Sequence, residues 1–136
     1  MAQTDHLPIY KATYDLCLHL ERVVQKFPRQ QKYSVGTDLR EGARRVLVLI
    51  VRANARHDKV PALLEVREEV EALKAALRLA HDVQAFSSLQ TFEPAVVLAV
   101  EVAKQNEGWL KHQQARVGRD QNRRVVAEGR ATPGAS

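Results

Sequence analysis

Residues 63–80 carry apolar side chains at alternating spacings of three and four positions. This spacing places the apolar side chains on one face of an α-helix, whereas a half-buried strand would need alternation at every second residue. A helix with one apolar face must bury that face against other elements. The segment therefore predicts a helix inside a helical assembly, with its apolar face formed by Leu63, Val66, Val70, Leu73, Leu77 and Ala80.

Three other segments show the same helical spacing, and prolines mark several of the predicted ends. Pro8, Pro61 and Pro94 suit a first helical turn, where a missing N–H costs little, and Pro28 disfavours helical backbone at the residue before it. The predicted helices run from Pro8 to Phe27, from Ser34–Thr37 to Arg56–Lys59, from Pro61 to Phe86–Ser88, and from Glu93–Pro94 to about residue 115.

Each predicted helix has one apolar stripe, and no segment alternates as a strand would. Short connections between amphipathic helices are typical of an all-α, antiparallel up-down-up-down four-helix bundle, predicted here over residues 1–115. The apolar rhythm is lost after that, so 116–136 is predicted to be a flexible basic tail. The stripes of the other helices are Leu16, Leu20, Val23 and Phe27; Leu39, Ala43, Val46, Ile50 and Ala53; and Val96, Ala99, Ala103 and Leu110, with Asn106 on the same face.

The composition limits the class of protein and its compartment. The 136 residues contain 45% hydrophobic residues, which suits one folded domain, and the net charge of +5 permits an anionic partner. Cys17 stands alone, the N-terminus lacks the pattern of a signal peptide, and the longest apolar run, VLVLIV at 46–51, is too short to span a bilayer. A cytoplasmic protein without a membrane role is therefore expected.

The sequence predicts no catalytic residues, no metal ligands and no cofactor. The histidines lie in different predicted elements without metal-ligand spacing, and no Glu-x-x-His pair occurs. The dipeptides His57-Asp58 and His81-Asp82 fall at predicted helix ends, where a histidine interacts favourably with the helix dipole. Cys17 adjoins an apolar stripe and is interpreted as a small core residue.

The roles of a few polar and aromatic side chains stay open at this stage. Asn106 can set the packing register as a buried polar residue, or it can lie at the helix edge. Tyr10, Tyr14 and Trp109 can stack on bases, although packing in the core or at an interface is favoured.

Basic residues are concentrated between positions 29 and 56, with few acidic neighbours in the same segment. On a helical wheel those of the second helix flank the direction opposite the apolar stripe, so its outer surface is predicted to be basic. Surface charge usually serves solubility alone, but this asymmetry points to a surface that binds a polyanion. The predicted binding residues are Arg29, Lys32, Arg40, Arg44, Arg45, Arg52 and Arg56.

Four stretches resemble the family of accessory variability determinant proteins of diversity-generating retroelements, over roughly residues 9–113. The resemblance extends to a related branch of four-helix bundles, the ribosomal-RNA intervening-sequence proteins, which share Phe-Pro in the first loop. Tyr33-x-x-Gly36 and the ending Gly108-Trp109-Leu110 favour the retroelement branch. The stretches are YDLCLHLERVVQKFPR, FPRQQKYSVGTDLREGARRVLVLIVRANA, LLEVREEVEALKAALRLAHD and EVAKQNEGWLKHQ.

The resemblance implies a non-enzymatic accessory protein. Proteins of this family form a homopentameric barrel with a basic surface, associate with the reverse transcriptase and its template RNA, and support error-prone cDNA synthesis. The family supplies no catalytic residues, and the basic set above corresponds to its positive surface by location only. The alternative is a helical-bundle module that binds another protein, has no nucleic-acid role and uses its charge for solubility.

Overall fold

The protein folds into helices only, over the residues that its computed structural model describes, which are Thr4 and 6–131. The short helix α2 was not predicted; it lies in the connection after Pro28. The four longer helices form a bundle, so the predicted all-α four-helix fold is confirmed. The helices are α1, Pro8–Val24; α2, Arg29–Lys32; α3, Val35–Ala55; α4, Val60–Asp82; and α5, Leu89–Ala131.

Contacts between opposite ends of neighbouring helices give their relative directions. Helix α1 packs on α3 and α5, and α4 packs on the same two helices. Val24, the last residue of α1, lies against Gly36, at the start of α3. His81, at the end of α4, stacks on Phe92, at the start of α5, with ring centroids 4.3 Å apart. Helices α3 and α4 are joined by residues 56–59 alone, and such short links connect antiparallel neighbours.

The core is formed by the apolar stripes that the sequence predicts for the first three long helices. Every predicted stripe position of α1, α3 and α4 is buried, including Phe27, which follows the last residue of α1. These side chains lose almost all contact with water, and each fully buried leucine, isoleucine or valine contributes about 1.5–3 kcal/mol of transfer free energy. Burial of these stripes therefore supplies the main stabilising contribution and fixes which face of each helix is free.

Helix α5 begins one turn earlier than predicted, at Leu89 rather than near Pro94. The Ser88 carbonyl accepts hydrogen bonds from the backbone N–H groups of Thr91 and Phe92 and from the Thr91 hydroxyl, which starts the helix before the proline. Helix α4 ends at Asp82, and Gln84 follows with a positive φ of 62°. The turn therefore lies earlier than the predicted end at Phe86–Ser88.

The apolar stripe of α5 also differs from the predicted one. Ala99, Asn106 and Leu110 are buried as predicted, whereas Val96 and Ala103 are only half-buried and the adjacent Ala95 and Val102 face the core instead. Small and polar residues fill much of this face, so the apolar signal was too weak to fix its direction. The buried positions are Ala95, Ala99, Val102, Asn106, Leu110 and Gln113.

Residues 116–131 are helical, which corrects the prediction that helix ends near residue 115. Loss of the apolar rhythm marks the end of packing, because every residue from Gln114 to Gly129 is exposed. The helix continues because the segment has no proline before Pro133 and contains five arginines and two alanines, which favour helix. The part of the predicted tail that follows residue 131 lies outside the described residues, and its flexibility stays a prediction.

Candidate nucleic-acid and partner interface

Six of the seven basic residues predicted to bind a polyanion lie on α2 and α3 and face different directions, and Arg56 directly follows α3 in extended backbone. Arg29 and Lys32 are on α2, in the connection after α1. Around α3, helical geometry places Arg40 and Arg44 on the flank next to α1, and Arg45 and Arg52 on the flank next to α4. The ion pairs described below agree with this placement.

On the α1 flank, Glu21 lies beside two arginines. Its carboxylate accepts a hydrogen bond from Arg44, and the Arg40 guanidinium lies 4.0 Å from the same carboxylate. The Arg40 Nε is buried and has no hydrogen-bond partner among the described residues. One carboxylate therefore offsets part of the charge of two predicted binding residues.

On the α4 flank, Arg45 donates a hydrogen bond from Nε to Glu69 at 3.1 Å. Arg45 and Arg52 line a shallow groove with Glu65 and Glu69. This flank has mixed charge, because the glutamates of α4 face the arginines of α3. Exposed pairs of this kind contribute only about 0–1 kcal/mol to stability, so their main effect is on local charge.

Among the seven predicted residues, the positive charge without an ion-pair partner lies on α2, in the last turn of α3 and at the residue that follows it. Arg29, Arg52 and Arg56 form no ion pair with any residue that the structure describes. The Lys32 ammonium lies 5.8 Å from the centroid of the exposed Tyr33 ring. The prediction of a uniformly basic outer surface is therefore too simple, because acidic partners come from neighbouring helices rather than from the same one.

An exposed apolar surface runs between α1 and α3, and we call it the α1–α3 seam. The Glu21–Arg44 pair sets the register of the two antiparallel helices, which brings Tyr14 and Leu18 of α1 to the level of Val48 and Val51 of α3. Val48 also lines the groove that α3 shares with α4. These four side chains are 43%, 37%, 46% and 42% exposed. A group of exposed apolar side chains suits a protein contact.

Two of the aromatic residues whose roles the sequence leaves open lie beside this seam or against the core. Tyr10 stacks on Tyr14 with ring centroids 5.9 Å apart. Trp109 is half-buried and packs against two of the core clusters. These contacts support the packing interpretation of the three aromatic rings over base stacking.

Asn106 is fully buried, which settles whether it lies in the core or at the helix edge. Its amide Nδ2 donates a hydrogen bond to the Leu63 carbonyl at 3.0 Å. Its Oδ1 has no partner among the described residues. The bond ties α5 to the first turn of α4, which is the register function considered for this residue.

Cys17 is half-buried between α1 and α3 and packs against the core. Burial raises the pKa of its thiol to about 11, while the Arg44 charge lowers the pKa and the Glu21 charge raises it. The thiol is therefore protonated at neutral pH, and only the thiolate is an effective nucleophile. This environment favours the packing role predicted for Cys17.

Alkylation of Cys17 is therefore expected to be slow in the folded protein. At about pH 8, a pKa of about 11 instead of 9.0 leaves about a hundredfold less thiolate. Iodoacetamide labelling followed by mass spectrometry measures the rate, and the same chain in denaturant is the reference. A folded-state rate equal to the denatured one would contradict the buried, protonated thiol.

No metal-binding or membrane-spanning element is found in the described part of the chain. Histidine, cysteine and acidic side chains form no group of three or more that could hold a metal there. No helix over these same residues has the length and hydropathy to cross a bilayer. His57 and His81 lie at or just after helix ends, as the sequence predicts.

Sequence reasoning missed Leu18 of the α1–α3 seam and the ion pairs of α3. Tyr14 and Leu18 are spaced four residues apart outside the core stripe of α1, which is a signal for a second apolar face. The pairing of Arg44 with Glu21 joins residues 23 positions apart and has no local signature.

The fold and the surface define a class: a small all-α bundle with exposed arginines and an exposed apolar seam. Residues 7–113 match the family described as bAvd-like. The chain belongs to this family, which agrees with its resemblance to the accessory variability determinants. A search of curated proteins finds no match. The extension after Gln113 lies outside the matched residues.

Proposed function

We propose that this protein is the accessory variability determinant of a diversity-generating retroelement. In this proposal the protein is non-enzymatic and cytoplasmic, and it forms a homo-oligomer, a pentamer by resemblance. It binds the reverse transcriptase and its template RNA and supports mutagenic cDNA synthesis. The bAvd-like family match over residues 7–113 is the observation that carries it.

The charge of the surface supports the RNA part of the proposal. Arg52 lies in the last turn of α3 and Arg56 directly follows the helix. Both are exposed and have no ion-pair partner among the described residues. Arginine binds phosphate oxygens through its planar donor fork, and such contacts carry no sequence information. Binding is therefore expected to depend on phosphate charge rather than on base identity.

The α1–α3 seam supports the oligomeric part of the proposal. Its exposed tyrosine, leucine and valines would lose contact with water if the seam packed against another subunit. Its neighbours Arg44 and Glu21 already neutralise each other in part, so burying this flank leaves less charge unpaired. In a closed ring, each subunit would repeat the exposed arginines and strengthen the local field.

The same ion pairs favour a second candidate function, a protein-interaction module without a nucleic-acid role. Arg40, Arg44 and Arg45 are committed to glutamates rather than left for phosphate. The two candidate functions differ in one measurable property, which is affinity for RNA.

Changing Arg52 and Arg56 together to glutamine is expected to weaken binding to the template RNA and to its complex with reverse transcriptase. Each lost phosphate contact also lowers the slope of log affinity against log salt, by about 0.7 for single-stranded RNA. Filter binding at about 50 mM and about 200 mM salt measures both effects. Circular dichroism checks folding.

A matched control variant changes Lys26 and Arg78 to glutamine. Both are exposed, lie at the other end of the bundle and remove the same two charges. Equal binding by the parent protein and both variants would leave Arg52 and Arg56 outside the RNA surface. No binding of the parent protein to RNA, alone or with the reverse transcriptase, would favour the protein-interaction module.

A further inference from the structure

The last part of α5 projects beyond the bundle as an exposed helix. Gln113 is the last buried residue, and the helix continues to Ala131. At about 1.5 Å per residue, this projection is about 27 Å long. It lies outside the residues matched by the bAvd-like family, so the family does not account for it.

Basic side chains form a stripe on one side of this projection. His112, Arg116, Arg119 and Arg123 follow each other at spacings of four, three and four residues. With about 100° per residue, all four lie within about 60° of one another and extend over about 16 Å. All are exposed, and the three arginines form no ion pair within the described part of the chain. We call these four residues the α5 stripe.

The two acidic residues of the projection differ in their position relative to the α5 stripe. Asp120 and Glu128 each lie four residues from Arg124, which places the three on the line that continues the core positions Leu110 and Gln113. Glu128 is therefore away from the α5 stripe. Asp120 is also four residues from Arg116 and three from Arg123, so its carboxylate lies beside the stripe and offsets part of its positive charge.

The projection leaves the bundle at the same end as the uncompensated arginines of α3. Leu110 packs in one core cluster with Ala53 and Leu63, which lie near the end of α3 and the start of α4. Arg52 and Arg56 flank Ala53 in the sequence. The base of the α5 stripe and these two arginines therefore share one end of the molecule.

We propose that the α5 stripe binds the phosphate backbone of RNA at the end of the bundle where Arg52 and Arg56 also lie. The inference rests on the proposed function and specifies where RNA is held. Successive arginines of the stripe are separated by about 4.5 Å and about 6 Å along the helix axis, distances that let neighbouring side chains reach successive phosphates of one strand.

The composition of the projection favours RNA over a membrane. Its exposed apolar residues are Val117, Val125 and Val126, and on a helical wheel no two lie closer than about 80°. A membrane-surface helix needs a continuous apolar face, usually with larger residues. An acidic protein would usually add apolar contacts at the centre of its interface, and the α5 stripe has none.

The test changes Arg116, Arg119 and Arg123 together to glutamine in the full-length chain. Glutamine has nearly the same helix propensity as arginine, so circular dichroism should be unchanged. The matched control changes Arg22, Lys26 and Arg78 to glutamine, which removes the same charge from exposed positions elsewhere. The probe is a short single-stranded RNA of mixed sequence, titrated by fluorescence anisotropy from about 50 mM to about 200 mM salt.

The expected result is a salt slope smaller by about 2 for the stripe variant, from three contacts of about 0.7 each. If both lines meet near 1 M salt, this corresponds to roughly a hundredfold weaker binding at about 0.1 M. The control variant should bind like the parent. Equal slopes for parent and stripe variant would overturn the inference and leave the proposed function standing.

Two other outcomes would also decide against the inference. Failure of the parent protein to bind RNA would reject both the inference and the RNA part of the proposed function. Stripe-dependent binding to polyglutamate or to phosphatidylserine vesicles, as tight as to RNA, would assign the stripe to an acidic protein or a membrane instead.

Discussion

Replacing Gly36 by alanine is expected to lower the free energy of unfolding by about 1–3 kcal/mol, the range for overpacking a tight site. A Cβ at Gly36 would lie 2.7 Å from Val24 Cγ1, 3.0 Å from the Gln31 carbonyl oxygen and 3.3 Å from Phe27 Cδ2. The valine is stiff at χ1 and the carbonyl belongs to the backbone, so neither can move aside cheaply. Thermal unfolding should show a midpoint lower by roughly 4 °C for each kcal/mol.

Gly108→Ala provides the control, because the same added methyl group meets nothing within 4 Å. Gly108 lies inside α5, where alanine is favoured over glycine by up to about 1 kcal/mol. The two substitutions should therefore shift the midpoint in opposite directions at equal protein concentration. A Gly36→Ala protein as stable as the parent would show that the α1–α3 connection is not packed as tightly as described.

The buried faces of most helices could be predicted from the sequence. Helical spacing identified the buried stripes of α1, α3 and α4, because Leu, Ile and Val at three-four spacing leave one consistent direction for the core. In α5 this signal identified Ala99, Asn106 and Leu110 correctly but gave Val96 and Ala103 in place of their neighbours Ala95 and Val102, since alanine and polar side chains in core positions weaken the hydrophobic pattern. Buried polar residues are satisfied by tertiary partners such as the Leu63 carbonyl, which a local pattern does not show.

Helix ends were less predictable than helix faces. Pro8 correctly marked the first turn of α1. Pro94 misled the prediction, because hydrogen bonds at Ser88 and Thr91 start α5 before it. Residues 116–131 were predicted as a tail rather than a helix for a different reason. The three-four spacing of apolar residues arises where a helix packs against a core, so an exposed helix that packs on nothing lacks this spacing.

The candidate site was predictable in composition but not in electrostatic detail. The excess of arginine on α3 is visible in the sequence, and its spacing correctly gives two flanks. Which arginines are compensated depends on Glu21 and Glu69, which other helices bring into place. The basic stripe of α5 has helical spacing in the sequence, but it is recognisable only once the segment is known to be helical.

Placing two carboxylates in the α1–α3 seam is expected to abolish self-association. Leu18 and Val51 are 37% and 42% exposed and lie outside the core, so changing both to glutamate should leave the bundle folded. Buried in a subunit contact, each carboxylate would lose its hydration without a designed partner, which costs several kcal/mol per ion. Light scattering at micromolar concentration should then change from an oligomer, a pentamer by resemblance, to a monomer of 15.3 kDa.

The matched control places two glutamates at Leu79 and Val97, which are 57% and 66% exposed on α4 and α5. This variant has the same added charge and should keep the parent mass, because the added carboxylates stay in water. Dissociation of the control but not of the seam variant would move the subunit contact to α4 and α5. A monomeric parent protein would remove the assembly proposal altogether, because the exposed tyrosine, leucine and valines of the seam would then have no partner subunit to cover them.

RNA titrations of the seam variant would separate self-association from RNA binding. A monomer presents the arginines of one chain only, so its apparent affinity for RNA should fall through loss of multivalency, while the RNA contacts within each chain remain.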